Sequence, residues 1–354
     1  VRGAVPAAGF FVCRRRLFHP YFTEKGENVI MLVPVLLFIA GLVLLIKGGD
    51  WFVDGATGIA HRFHVPELLI GATVVSIGTT LPEVMVSATS ALGGHGEISY
   101  GNAIGSIICN TALIAALTIA IRPASVDRRT LRLPVLFFFF AAAFYVVVSY
   151  ATGSFTRLTG LLLLAIFVVY MFVLIRQAVQ ETRLPGAAVQ DSSQKADNPL
   201  LKDIALLAVG AALIAVGANL LVDNGTLIAQ ALGVPESVIA LTFVALGTSL
   251  PELVTAITAL AKGHGALSLG NIIGANLFNL VLVSGLSVAL APFSIPASKT
   301  IAGMNASLVV DLPVMLLVMG ILTLPALIRG KLSRWQGVLL LCTYGAFCVF
   351  QFLL

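Results

Sequence analysis

From Met31 to the C-terminus, long apolar runs alternate with short polar breaks. Ten of these runs approach the roughly 20 residues that cross a bilayer as helix. They cover 31–47, 67–93, 98–121, 134–151, 158–176, 203–222, 235–261, 267–291, 305–328 and 335–354. The pattern predicts an all-α polytopic membrane protein of ten transmembrane helices. One polar stretch interrupts it, QETRLPGAAVQDSSQKADNP at 180–199, with the composition of a linker rather than of a domain. The first thirty residues read differently, with Arg14, Arg15, Arg16 and the polar run TEKGEN. Their apolar patch is too short for a secretory signal. Met31 reads as the start, with 1–30 an upstream extension that is not translated; a short basic tail is the competing reading. The predicted organisation is therefore 1–30, a first five-helix half at 31–178, a cytoplasmic linker at 179–202 and a second five-helix half at 203–354.

Composition agrees with a membrane interior. Of 354 residues, 58% are apolar and 10% are charged, against about 25% charged in soluble domains. The net charge of +5 has no basic stripe behind it, so no nucleic-acid partner is expected. Cys13, Cys109, Cys342 and Cys348 have no CxxC spacing, which argues against a zinc site or a disulfide framework. Basic residues set the orientation. Connections after odd-numbered spans carry Arg62, Arg122, Arg128, Arg129, Lys262, Arg329, Lys331 and others, whereas the opposite side carries Arg157 and Lys299 outside residues 1–30. Positive-inside sorting then puts the linker in the cytoplasm, and both ends of the ten-span core outside an inner membrane.

An internal repeat defines the architecture. A shift of 169 positions lays VPELLIGATVVSIGTTLPE on VPESVIALTFVALGTSLPE, and GGHGEISYGNAIGSIICN on KGHGALSLGNIIGANLFN. Glu83 maps to Glu252, Pro82 to Pro251 and Asn102 to Asn271. Each unit holds five spans, an odd number, so the halves lie in opposite orientations about a pseudo-two-fold axis in the membrane plane. Many secondary transporters share this plan, with cargo held where the halves meet.

Glu83 and Glu252 are the costly residues. Each lies deep in its apolar run after a proline, and no Lys or Arg lies at comparable depth. A carboxylate there costs about 3 kcal/mol or more unless it meets a cavity, a cation or a partner. Two such groups facing across an axis balance one divalent cation. The prolines lack an N–H, so unwound backbone with free carbonyls is expected near Gly78, Thr79, Gly247 and Thr248. Thr79, Thr80, Thr248 and Ser249 add hydroxyls one turn before the glutamates, and Ser106, Asn110 and Asn279 add oxygens from the facing spans. An all-oxygen set suits hard ions such as Ca²⁺ and Na⁺ rather than zinc or copper.

GTTLPE with GNAIGSIICN, and GTSLPE with GNIIGANLFN, resemble the two α-repeats of the calcium/cation antiporter superfamily, nearest its bacterial sodium/calcium exchanger branch. The resemblance runs from about Met31 to the C-terminus and includes GGDWFVDGA after the first run. It implies a sodium/calcium exchanger-like fold. It also implies Ca²⁺ held by Glu83, Glu252 and the carbonyls of Thr79 and Thr248. Na⁺ would be held in overlapping sites by Thr80, Ser249, Ser106 and Asn110. Occupancy by several Na⁺ or one Ca²⁺, never both fully, would enforce exchange.

Two departures stand out. Ala275 replaces the serine of the second GSN motif, and Asn110 and Asn279 stand where many relatives carry aspartate. The site's formal charge is thus −2, which opens the identity of the coupling ion. Other polar residues read as structural. Gly101, Gly105, Gly270 and Gly274 are expected at close helix contacts, His95 and His264 in turns, Asp54 and Asp223 near span ends, and Cys109 in the core. The resulting expectation is an inner-membrane antiporter, not an enzyme, that exchanges Ca²⁺ or a related divalent cation for Na⁺. A Ca²⁺/H⁺ or other cation/proton antiporter is the alternative. Lipid and inorganic cations are the expected partners, with Ca²⁺ and Na⁺ as cargo, no resident cofactor and no implied protein partner.

Overall fold

The computed structural model describes residues 31–123, 125–181, 199–231, 247–297, 300–301 and 303–353. The extension 1–30 and most of the linker, 182–198, lie outside the described residues. Among the described residues, ten helices follow in chain order. They are α1 Leu32–Phe63, α2 Glu67–Leu92, α3 Gly96–Ile121, α4 Arg128–Thr152 and α5 Arg157–Glu181, then α6 Leu200–Ala231, α7 Leu250–Ala261, α8 Gly265–Leu290, α9 Ser307–Arg329 and α10 Arg334–Leu353. Eight of them are long and apolar enough to cross a membrane. The protein is an all-helical polytopic membrane protein built as two repeats.

Helix ends follow local chemistry. Asp127 caps α4 by accepting from the backbone N–H of Arg129 and Thr130. Gly153 and Gly330 end α4 and α9 with φ of 63° and 66°, a left-handed conformation that glycine takes without strain. Several helices outrun their apolar stretches, most clearly α1, whose apolar run stops at 47 while the helix continues to Phe63. At 1.5 Å per residue its 32 residues are longer than the hydrocarbon layer is thick. Asp54 and Asp223 consequently lie inside α1 and α6 rather than at helix ends, a correction to the sequence reading. Hydropathy measures lipid contact, not where backbone hydrogen bonding stops.

Buried apolar side chains form two clusters. One core gathers Leu69, Ile107, Phe138, Leu163, Phe278, Met319 and Leu340 from α2, α3, α4, α5, α8, α9 and α10. A second joins Phe52 and Val53 of α1 to Ile214 of α6. A Cβ on Gly48 would sit 2.9 Å from the Gly210 carbonyl oxygen, and one on Gly41 2.9 Å from that of Gly217. Small residues thus let these two backbones touch. Gly41 and Gly48 map onto Gly210 and Gly217 in the repeat, so the contact is self-complementary about the pseudo-axis. Outward-facing Leu36, Phe140 and Val168 are more than half exposed, as lipid-facing positions should be.

Connections sort to two ends. Val126 N–H donates to the Gly330 carbonyl at 2.9 Å, joining the α3–α4 and α9–α10 connections. Strand β1, Ser154–Phe155, pairs antiparallel with β2, Phe293–Ser294, joining the α4–α5 and α8–α9 connections. Connections after odd-numbered helices therefore meet one another, as do those after even-numbered helices. The basic cluster Arg122, Arg128, Arg129, Arg329, Lys331 and Arg334 shares the first of these ends.

Candidate functional site

The centre is built where α2 and α8 cross. A Cβ on Gly71 would meet Leu267 O, and one on Gly274 would meet Ser76 Oγ and the Ala72 backbone. The glycines therefore permit backbone-to-backbone packing, which sets α2 side chains directly against α8. Gly270 and Gly274 thus pack closely as expected, whereas the segment that the repeat sets against Gly101 and Gly105 lies outside the described residues. The repeat partners of Leu68 and Ala72, residues 237 and 241, fall outside the described residues.

Glu83 and Glu252 are both fully buried, and among the described residues no hydrogen bond within 3.5 Å reaches their carboxylate oxygens. Among the described residues no ion pair reaches either one. Thr80 Oγ1, Ser249 Oγ and both side-chain polar atoms of Asn110 and Asn279 are likewise buried without partners. Burying so many polar atoms costs roughly 1–3 kcal/mol apiece when nothing answers them, so these oxygens form the candidate ligand set. Ser106 is buried one turn before Asn110, and Thr248 is half-buried. All nine oxygen-bearing residues singled out in the sequence thus sit on α2, α3, α8 and the start of α7.

Backbone irregularity marks the same place. Wider π-turns occupy Asn110–Ala115 in α3, Asn279–Val283 in α8 and Gly71–Val75 in α2. Such turns concentrate at functional sites, and the two asparagines begin theirs at repeat-related positions. The expected unwinding is found in one half only. Gly247, Thr248 and Ser249 form a turn before α7, but α2 is helical from Ser76 to Leu92 straight through Pro82. Packing of α2 against α8 holds the helix in register there, although Pro82 still leaves the Gly78 carbonyl without its usual donor.

Asn102 and Asn271 were not singled out as site residues. Thr248 Oγ1 donates to Asn102 Oδ1 and Thr79 Oγ1 donates to Asn271 Oδ1, each at 3.2 Å. Their duplication in GNAIG and GNIIG was the available signal. His264 lies in the turn before α8, as expected, with Nδ1 2.7 Å from Glu67 Oε1, and Lys262 binds Asp54 Oδ1 at 2.7 Å. A cavity of about 10 Å³ borders Phe52, Gly78, Thr79, Pro82 and Pro251. It has room on the order of one small sphere, and neither glutamate lines it. A groove of about 700 Å³ between α4 and α9 carries Tyr150, Leu316, Leu317, Gly320 and Leu324 and no charged residue, so it faces lipid and not cargo.

Comparison with known proteins fits this geometry. The model for the family "Sodium/calcium exchanger protein" matches residues 33–176 and 202–353. Inner membrane protein YrbG of Escherichia coli is 37% identical, over 74% of this chain and 81% of its own. Sodium/calcium exchanger MaX1 of Methanosarcina acetivorans is 31% identical, over 90% of this chain and 99% of its own. The solved structure of the sodium-calcium exchanger NCX_Mj soaked with Na⁺ and Sr²⁺ superposes with a TM-score of 0.72 at 33% identity. That match covers 89% of this chain and 97% of that one.

Proposed function

The chain belongs to the sodium/calcium exchanger protein family, whose members are membrane transporters and not enzymes, and from that footing we propose an antiporter that exchanges Ca²⁺ for Na⁺ across an inner membrane. The observation that carries the reading is the pair of buried, unpartnered carboxylates, Glu83 and Glu252, one from each half. Two negative charges in a dry site match one divalent cation, and Ca²⁺ takes six to eight oxygen ligands. Carbonyls of Thr79 and Thr248 complete the divalent site. Thr80, Ser249, Ser106, Asn110 and Asn279 supply neutral oxygens for Na⁺. Because the carboxylates are shared, Na⁺ and Ca²⁺ exclude one another, which couples the two fluxes. The basic cluster faces the cytoplasm, and both ends of the ten-helix core face outward. The domain plan that goes with this reading keeps the halves at 31–178 and 203–354.

A second reading keeps the fold and makes H⁺ the driving ion, with glutamate protonation in place of Na⁺ binding. Asn110 and Asn279 favour it, since neutral amides bring no charge to hold several Na⁺. The test is Ca²⁺ uptake by vesicles containing the purified protein. Uptake driven by an imposed Na⁺ gradient and not by a proton gradient supports the first reading, and the converse supports the second. No uptake under either gradient overturns both.

A further inference from the structure

Buried threonines in these helices usually turn their hydroxyl onto the carbonyl one turn back. Thr57 does so to Val53 O at 2.9 Å, Thr111 to Ile107 O at 2.7 Å and Thr323 to Met319 O at 2.6 Å. Thr79 departs from this pattern. Thr79 Oγ1 lies 3.5 Å from Ser76 O on its own helix but 3.2 Å from Asn271 Oδ1 on α8. Thr248 Oγ1 lies 3.2 Å from Asn102 Oδ1 on α3. Each bond joins one half to the other, and the pseudo-axis exchanges the two bonds. Ser76 Oγ is 3.3 Å from the same Asn271 oxygen, but its single proton has a nearer acceptor in Gly71 O at 2.7 Å. Thr79 is therefore the proton donor to Asn271 Oδ1.

The amide nitrogens differ between the halves. Asn102 Nδ2 donates to Ser87 Oγ at 2.8 Å and to the Glu83 carbonyl at 3.3 Å. Ser87 maps to Ala256, which has no hydroxyl, and Asn271 Nδ2 is buried without a partner. Asn102 is thus tied both to the backbone of one carboxylate residue and to the threonine near the other.

We propose that Asn102 and Asn271 are positioning residues: by holding the Thr248 and Thr79 hydroxyls across the interface of the two halves, they aim the adjoining backbone carbonyls at the cation between Glu83 and Glu252. The proposal rests on the Ca²⁺ reading of that site. A hydroxyl held by an amide is withdrawn from its own helix, and its residue's φ and ψ are fixed by a contact outside the helix. The asparagines act on affinity without touching the ion.

A double-mutant cycle on Ca²⁺ uptake tests it, with KM and maximal rate measured separately and inserted protein quantified. Asn271→Leu and Thr79→Val are each expected to raise KM for Ca²⁺ about tenfold, the scale of one lost buried hydrogen bond. Maximal rate should stay within about twofold, because the glutamates remain. Together the two changes should again give about tenfold, since both remove one bond. Asn102→Leu with Thr248→Val supplies a second cycle if the first pair inserts poorly. An additive, roughly hundredfold double mutant would overturn the proposal, as would an unchanged KM in the single mutants. A merely structural role would lower the amount of inserted protein or the maximal rate and leave KM alone, which also overturns it. Absence of Ca²⁺ uptake by the wild type is a different failure, recognised without any variant, and removes the function reading together with this one.

Discussion

In the first half, GTTLPE lies in a helix that runs unbroken from Ser76 to Leu92, with Pro82 in its interior. In the second, GTSLPE begins as a turn, Gly247, Thr248 and Ser249, and the helix starts only at Leu250. Proline is well tolerated in a first helical turn and poorly tolerated in an interior, so Pro251 sits at ease and Pro82 does not. Glu252 occupies the first turn of α7, where the exposed N–H groups and helix dipole favour a negative charge. Glu83 has no such help. Nearly the same residues therefore take two backbones, and the choice is made by what packs around them.

The largest expected effect ignores this difference. Glu83→Gln and Glu252→Gln each keep shape and one carbonyl oxygen but leave a single charge facing a dehydrated divalent ion. Each should lower Ca²⁺ transport by about 100-fold or more, on the scale of about 3 kcal/mol for unpairing a buried charge. A measurement in which one variant fails and the other transports normally would show that the halves do not share the ion. Next, Asn279→Asp adds a third carboxylate. The Na⁺ concentration that half-maximally drives Ca²⁺ release should shift by about tenfold, the scale of one charge near a partly screened site.

The prolines sharpen the comparison directly. Pro82→Ala returns an N–H to the Gly78 carbonyl and relaxes an interior strain, so thermal stability should rise while KM for Ca²⁺ worsens about fivefold. Pro251→Ala changes a position where proline already fits, and about a twofold shift or less is expected. Equal responses would mean that the two backbones do not matter to binding. Smallest is the rim: Asp54 is about half exposed, and its pair with Lys262 is of the surface kind. Asp54→Asn should leave transport within about twofold of wild type.

How much of this could be read from the chain depends on which physics is local. The ten-helix plan was legible because crossing a bilayer needs a run of apolar residues, whatever surrounds it. Glu83 and Glu252 were legible because a carboxylate in such a run is too costly to be incidental. The end of α1 was not, since GGDWFVDGA leaves the apolar run yet still propagates a helix beside α6. The π-turns at Asn110 and Asn279 carry no composition of their own. The Asn102–Thr248 and Asn271–Thr79 bonds depend on contacts between halves, including the α2–α8 approach that Gly71 and Gly274 allow, and no local pattern encodes them. The turn position of His264 was legible, but its partner Glu67, 197 positions away, was not.

The central claim is that one divalent ion is held between two carboxylates, one from each half, in a site that the coupling ion also needs. Equilibrium ⁴⁵Ca²⁺ binding to the purified protein at rising Na⁺ tests it most directly. The account predicts one Ca²⁺ bound per chain, displaced as Na⁺ rises, and binding lost in both Glu83→Gln and Glu252→Gln. Two bound Ca²⁺ per chain, or one that survives either glutamine substitution with its affinity intact, would contradict it.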